Sequence, residues 1–403
     1  MTRRRVGLWL VGAFGGVGTT ITLGLAAMER GLADHTGLVT ALPPFRDLPL
    51  PEPGDFVVGG HEIRSTTFAE SAEEFRRTSG VFDPAWIAAC RAELDAASAR
   101  VRPGPRLGLS AVVSGLADWA EARAARTARQ AVDAIATDLG AFIASESIDH
   151  LIVLNVGSTE PPFPLGDIHQ HWKTLKPRLA DAGQMLLPSS ALYALAAIEG
   201  GHSYINFTPS LGGSIPAIHE LAQATGALHA GKDGKTGETL MKTVLAPMFA
   251  HRNLKVSSWV GHNIIGNRDG LVLDDPTSKT SKLETKDRVI TEILGYKPSS
   301  IVTIEYLPDM GDWKTAWDHI HFQGFLGTKM TLQFTWQGCD SLLAAPLVID
   351  LARLTDLEKQ RGGKGQMRHL ACFFKSPEGV MENDFFKQFD RLIDHVAKPQ
   401  CPS

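Results

Sequence analysis

The sequence predicts an α/β protein: a doubly wound parallel sheet, with a second α+β domain built on an open mixed sheet. Three observations carry that expectation. An apolar strand, a glycine-rich turn and a helix follow one another over residues 6–30. Strands and helices then alternate to about residue 210, the pattern of a parallel sheet covered on both faces. Beyond Pro209 the apolar residues fall into half-alternation, the period of strands with one wetted face.

The elements follow in order. Val6-Gly-Leu-Trp-Leu-Val11 is a short apolar run of the buried type, Gly12 to Gly18 is the turn, and Thr19 to Arg30 is a helix. Gly37 to Leu42 is read as the second strand, closing a βαβ unit, and the proline-rich Leu42 to Pro53 as a loop. Asp55 to Gly60 is a further strand. Residues 66–146, rich in Ala, Glu and Arg at helical spacing, are expected to form several helices broken at Val101-Arg-Pro-Gly-Pro105. Ile148 to Val156 returns as an apolar strand and ends in Gly157-Ser-Thr-Glu-Pro-Pro162. In the second half, strands are expected at Leu254–Val260, Ser300–Tyr306 and Thr328–Trp336. Ser341–Leu354 is apolar at helical spacing and is expected to pack back on the first unit. The expected division is therefore residues 1–210, completed by 341–403, and residues 211–340.

Bulk properties exclude several classes. With 403 residues the chain is long enough for two domains, and 43% hydrophobic with 21% charged residues is ordinary for a globular protein. A net charge of −4 and a single basic run, Arg3 to Arg5, give no footprint for nucleic acid. Cys90, Cys339, Cys372 and Cys401 form no Cys-x-x-Cys, which argues against a disulfide scaffold or a zinc knuckle and for a reducing compartment, with the cytoplasm expected. The N-terminal apolar stretch is interrupted by six glycines between Gly7 and Gly24, so it reads as fold rather than as a signal peptide. No segment reaches the roughly 18 apolar residues of a membrane span, and no membrane partner is expected.

Gly12-Ala-Phe-Gly15-Gly16-Val-Gly18 stands between a strand and a helix, where glycines let the backbone approach a pyrophosphate and the helix N-terminus offers unpaired N–H groups. In that context it reads as a Rossmann-type dinucleotide turn. The fingerprint is imperfect, because the usual spacing would place a glycine at position 13. No acid for the ribose appears at the end of the strand read at 37–42, Thr40-Ala41-Leu42. Asn155 to Pro162 ends a later strand, where hydroxyls and an amide could face the nicotinamide; a polar turn held by its own side chains has the same composition. Lys232 to Thr239 combines glycines, hydroxyls and Lys235 before a helix expected near Leu240, which suits a phosphate cradle or an ordinary surface turn.

Lys282 and Lys286 fall four apart on a helix opened by Ser281, where like charges repel by about 0.2–0.5 kcal/mol unless an anion lies between them. A solvated Lys/Glu helix is the plainer alternative. His169/His171 and His319/His321 are His-x-His pairs with no third ligand nearby, and the metal content is left unknown. No Gly-x-Ser-x-Gly or Cys/His arrangement points to covalent hydrolysis.

A run of motifs together resembles the myo-inositol-1-phosphate synthase family. They are Gly12 to Thr20, Gly59-Gly-His-Glu-Ile63, Asn155 to Pro162, Tyr204-Ile-Asn-Phe-Thr-Pro209, Asp233 to Thr239 with Lys242-Thr-Val-Leu-Ala-Pro247, Asn263 to Leu271, Ser281 to Lys286, Gly311-Asp-Trp-Lys314 and Asp340-Ser-Leu-Leu-Ala-Ala-Pro346. They occur in the family's order and span nearly the whole chain. The resemblance implies a Rossmann domain, a second domain whose open sheet builds a homotetramer, and a C-terminal segment returning to the first. It also implies one retained NAD that oxidises C5 of a hexose 6-phosphate, D-glucose 6-phosphate in the first reading, closure of the C6 enolate on the C1 aldehyde, and reduction of C5 again to give myo-inositol 1-phosphate, with a monovalent or divalent cation as a candidate assistant.

Carried over residue by residue, the implied catalytic set is Lys282, Lys286, Lys314 and Lys375 with Asp233 and Asp269. Ammonium groups in a dry pocket suit a reaction that places negative charge on substrate oxygens. The implied cofactor set is Gly12, Phe14, Gly15, Gly16, Val17, Gly18, Thr19, Asn155, Gly157, Ser158, Thr159 and Asp340. The implied sugar-phosphate set is Lys235, Thr236, Gly237, Thr239, Asn263 and Asn267. This chain departs from the family at His61-Glu62, where Trp-Asp is common, at His262, where a Tyr beside the sugar is common, and at Glu238, which replaces a common Gln. The last two leave a second sugar open, such as fructose 6-phosphate closing to a five-membered ring.

Overall fold

A computed structural model describes residues 4–119, 125–267, 270 and 289–398. The first sheet has six parallel strands in the order β3-β2-β1-β4-β5-β6. They are β1 Val6–Val11, β2 Phe56–Glu62, β3 Val101–Pro103, β4 His150–Asn155, β5 Ser203–Asn206 and β6 His229–Gly231. The order reverses between β1 and β4, which opens a crevice at the carboxyl ends of those strands, the place where open α/β sheets bind ligands.

Two of the expected elements differ. Residues 37–42 form no strand: Val39–Ala41 is a 3-10 turn. The N–H groups of Val39 and Thr40 are taken by the Asp350 carboxylate at 2.7 and 3.0 Å, and so are not offered to a ladder. The second strand is β2, paired with β1 from Val6↔Phe56 to Val11↔His61. The expected break at 101–105 contains instead the short edge strand β3, whose final Pro103 is tolerated because no further strand needs its N–H.

Helix Gly16–Glu29 and helix Asp340–Gln360 cover one face of this sheet, where Ile21 and Leu25 share a core with Val348, Ile349 and Leu351. The late helix thus packs on the first unit, as its apolar spacing predicts. Helices Ala128–Glu146 and Ser189–Glu199 cover the other face, packing Val132, Ile135 and Leu195 around Trp9 and Tyr204.

The second sheet is mixed, in the order β10-β9-β7-β8, with β7 Lys255–Ile265, β8 Ser299–Tyr306, β9 Trp313–Gln323 and β10 Lys329–Cys339. β7 runs parallel to β8 and antiparallel to β9. The inner face of this sheet packs Val256 and Trp259 of β7 and Ile320 of β9 on Ala246 and Phe249 of helix Gly237–His251. β9 is absent from the sequence reading, since Trp317, His319 and His321 alternate outward with Ala316, Asp318 and Ile320 inward and dilute the apolar signal. Among the described residues no helix is long and apolar enough to cross a membrane.

Candidate active site

A cleft of about 420 Å³ lies at the carboxyl ends of β1, β2 and β4, within the size of small-molecule sites. Its rim is built by glycines for steric reasons. Gly12 has φ +84°, and a Cβ there would lie 2.9 Å from the Gly157 Cα, so the turns after β1 and β4 approach closer than side chains would permit. A Cβ on Gly16 would fall 2.1 Å from the Ser341 hydroxyl, and one on Gly18 would fall 2.2 Å from the Ala13 carbonyl, locking helix to turn. Helix Gly16–Glu29 starts after Gly15 with no side-chain cap, which leaves first-turn N–H groups to a ligand. This cradle of bare backbone and an uncapped helix fits a dinucleotide pyrophosphate.

Of the expected cofactor residues, Gly12, Gly15, Gly16, Val17, Asn155, Gly157, Ser158, Thr159 and Asp340 line the cleft. Gly18 acts behind it through packing. Phe14 and Thr19 are buried, and the Phe14 ring packs edge-on against Phe68 at 4.9 Å. The strand at 56–62 supplies the acid that the sequence reading missed. Glu62 ends β2 on the cleft, with Oε2 accepting from the Phe14 N–H at 2.9 Å and Oε1 from the Ile63 N–H at 2.8 Å.

At the opposite end, Lys375 and Asp233 both line the cleft and form an ion pair at 2.9 Å, their side chains 15% and 8% exposed. Asp233 has φ +62° and shares a backbone bond with Lys375, whose N–H donates to the Asp233 carbonyl at 2.6 Å. Lys314, on β9, reaches within 4.0 Å of the Asp340 carboxylate at the start of helix Asp340–Gln360. Asp312 also lines the cleft, its carbonyl accepting from the Asp340 N–H at 3.0 Å; it stands inside Gly311-Asp-Trp-Lys314 but is not among the expected site residues. Burial raises its pKa, while bonds from the Cys339 thiol at 2.9 Å and the Ser341 N–H at 2.8 Å oppose that shift. Asn267 and Thr236 also line the cleft, and Gly237, with φ +53°, opens helix Gly237–His251 without a side-chain cap from Thr236.

Several expected residues point elsewhere. The Lys235 amine is buried under the last helix, Phe385–Val396, bonded to Gln388 and 6.0 Å from the Phe385 ring, and burial lowers its pKa to about 8. Thr239 is buried, and Asn263 gives its amide to Glu238 at 2.7 Å. The negative charge expected of Glu238 near the anion is answered inside the core, where Lys242 Nζ lies 2.6 Å away. His262 does not stand beside the cleft: strand alternation turns it to the open face of β7, bonded to Thr303 at 2.6 Å and stacked on Trp317. Lys282, Lys286 and Asp269 lie outside the described residues.

The His-x-His pairs make no metal centre. His169 Nε2 meets the Leu186 carbonyl at 2.9 Å while His171 faces Glu220, and His319 and His321 sit on the open sheet face. Glu358, His369 and His395 bring ligand-type atoms within 4.8 Å, but the two rings lie parallel at 3.7 Å, so their lone pairs do not meet at one ion.

The family model described as myo-inositol-1-phosphate synthase, an NAD-binding type, matches residues 6–396. The chain is 33% identical to inositol-3-phosphate synthase 1 of Bacteroides thetaiotaomicron, over 98% of this chain and 95% of that protein. It is 28% identical to inositol-3-phosphate synthase isozyme 2 of Arabidopsis thaliana, over 88% and 74%. The fold is similar to the crystal structure of inositol-3-phosphate synthase from Caenorhabditis elegans, with TM-score 0.87 at 24% identity, covering 98% of this chain and 86% of that one. It is similar also to a myo-inositol-1-phosphate synthase-related protein from Thermotoga maritima, with TM-score 0.77 at 24% identity over 98% of each chain. A NAD-binding domain, an enzyme of the intramolecular lyase or isomerase type and the cyclisation of a sugar phosphate go with that match. The chain belongs to the myo-inositol-1-phosphate synthase family.

Proposed function

We propose that the protein converts D-glucose 6-phosphate to myo-inositol 1-phosphate on a retained NAD. The observation that carries this reading is the Lys375–Asp233 ion pair lining the cleft, with Lys314 of β9 reaching within 4.0 Å of Asp340, itself a cleft residue. When bound, NAD supplies a hydride acceptor that is used and then restored, so the net change is an isomerisation. Lys314 and Lys375 stabilise the negative charge that develops on substrate oxygens as the C6 proton leaves and as C6 attacks the C1 aldehyde. Asp233 orients the Lys375 amine, and Asp340 stands nearest that of Lys314. By resemblance, Lys282, Lys286 and Asp269 complete the set.

The uncapped start of helix Gly237–His251, with Thr236 and Asn267, receives the phosphate. Asn263 acts indirectly, through Glu238, and Lys235 as an anchor of the cradle rather than as its counter-charge. Glu62 takes the adenosine ribose hydroxyls at the end of β2. A plain dehydrogenase would instead release its oxidised product and leave NADH behind. A five-membered-ring product draws no support from the site, because Glu238 is neutralised and His262 turned away.

The reading extends to a homotetramer built through the open face of the second sheet, where Trp317 and Ile301 are exposed, and to a cytoplasmic location. Residues 1–210 with 341–403 act as the cofactor domain and 211–340 as the catalytic one, the latter lending β6, His229–Gly231, to the edge of the cofactor sheet. A monovalent or divalent cation is retained as a candidate assistant. The test is to incubate the purified protein with NAD and each hexose phosphate in turn and to read ring size by NMR. A six-membered cyclitol phosphate from glucose 6-phosphate is expected. A released keto sugar with NADH accumulating one-for-one would overturn the proposal.

A further inference from the structure

The floor of the cleft carries a hydrogen-bonded chain that the cyclisation does not use. His61, the penultimate residue of β2, is 1% exposed, with Nε2 3.0 Å from Asp138 Oδ2 and Nδ1 3.0 Å from the Tyr193 hydroxyl. Asp138 lies on helix Ala128–Glu146 and Tyr193 on helix Ser189–Glu199, so three separate elements hold the chain. His61 and Tyr193 both border the cleft. Gly104, just past β3, comes so close that a Cβ there would lie 2.8 Å from the Tyr193 hydroxyl oxygen.

The direction of this chain follows from its end. An ionised carboxylate only accepts, so His61 Nε2 carries the proton that Asp138 receives. In a neutral imidazole the other nitrogen is then an acceptor, and the Tyr193 hydroxyl donates to it. Burial raises the Tyr193 pKa, which keeps that proton in place. In that arrangement Tyr193 gives its single proton to His61, and what the hydroxyl has left for a cleft ligand is its capacity to accept.

The position of this acceptor identifies what meets it. In a sheet of this order the adenosine half of a dinucleotide lies over β1, β2 and β3, with the acid at the end of β2 on its ribose. His61 adjoins that acid, Glu62, and the wall beyond β3 carries Pro105, Leu109, Val113 and Leu116, with the Ser110 hydroxyl among them accepting from the Val113 N–H. Apolar walls suit the faces of a flat base, and an acceptor at the floor suits a donor on its edge. We infer that Tyr193, oriented by His61 and Asp138, selects adenine by accepting a hydrogen bond from its exocyclic amino group. The inference rests on the NAD reading above. Hypoxanthine carries a carbonyl at that position, and two acceptors would then face one another.

The test is a calorimetric titration of the nucleotide-free protein with NAD and with nicotinamide hypoxanthine dinucleotide, which reads affinity rather than turnover. The wild type is expected to bind NAD about tenfold more tightly, the size of one neutral hydrogen bond. Tyr193→Phe removes the acceptor and should bring the two affinities within about twofold. His61→Leu frees the hydroxyl to rotate and donate to the carbonyl, so the preference should narrow or reverse while NAD still binds, a change that a merely structural role would not produce. Equal affinities in the wild type, or an unchanged preference in Tyr193→Phe, would overturn the assignment. A wild type that binds neither dinucleotide would overturn the cofactor reading itself and the inference with it.

Discussion

Glu238 and Lys242 lie one helical turn apart at 1% and 0% exposure, with 2.6 Å between carboxylate and amine, so the charge of each is compensated inside the core. Lys242→Met keeps the length of the side chain and removes its charge, leaving a buried carboxylate without this cation. Removing one partner of such a pair costs about 3–5 kcal/mol, whereas replacing both by uncharged groups of similar volume is often neutral or stabilising. The Asn263 amide, 2.7 Å from the Glu238 carboxylate, can bond the side-chain oxygen of a glutamine equally well. The double variant Glu238→Gln/Lys242→Met should therefore recover most of the loss. Urea unfolding of the four proteins at one concentration gives the cycle, with a coupling of about 2–4 kcal/mol expected. A single-variant cost below about 1 kcal/mol, or a double variant as unstable as Lys242→Met, would refute the reasoning.

Three further expectations follow from the same geometry. Burial lowers Lys235 from 10.5 to about 8, so between those values the unfolded chain holds the proton more tightly and stability rises with pH; in Lys235→Met that rise from about pH 8 to 10 should disappear from thermal unfolding curves. Gly18→Ala places a Cβ 2.2 Å from the Ala13 carbonyl, a backbone atom that cannot move aside, and should lower both the melting temperature and NAD affinity. Glu62→Gln keeps an acceptor for the Phe14 N–H but removes the charge that repels a 2′-phosphate, so the preference for NAD over NADP should fall about tenfold in binding titrations.

What could be read in the sequence followed local chemistry. The strand, glycine turn and helix of residues 6–30 were legible because each depends on neighbours a few positions away. Helix Asp340–Gln360 was legible for the same reason, through its apolar spacing. The strand expected at 37–42 failed because its N–H groups are claimed by Asp350, more than 300 positions later, a partner no local window contains. Glu62, the acid proposed for the ribose, is hidden with it, because it ends β2 and not the stretch at 37–42. His262 and Lys235 were misplaced for a related reason. Motif position fixes a residue along the chain, but strand alternation and the packing of the last helix decide which way its side chain points.

The central claim is that the nicotinamide borrows hydrogen from the sugar and returns it to the same carbon before release. It is tested most directly with glucose 6-phosphate deuterated at C5, converted in the presence of a large excess of unlabelled NADH. The account predicts an inositol phosphate that keeps its deuterium at the carbon derived from C5, with no net change in NADH. Loss of the deuterium, or its appearance in the free nucleotide pool, would contradict it.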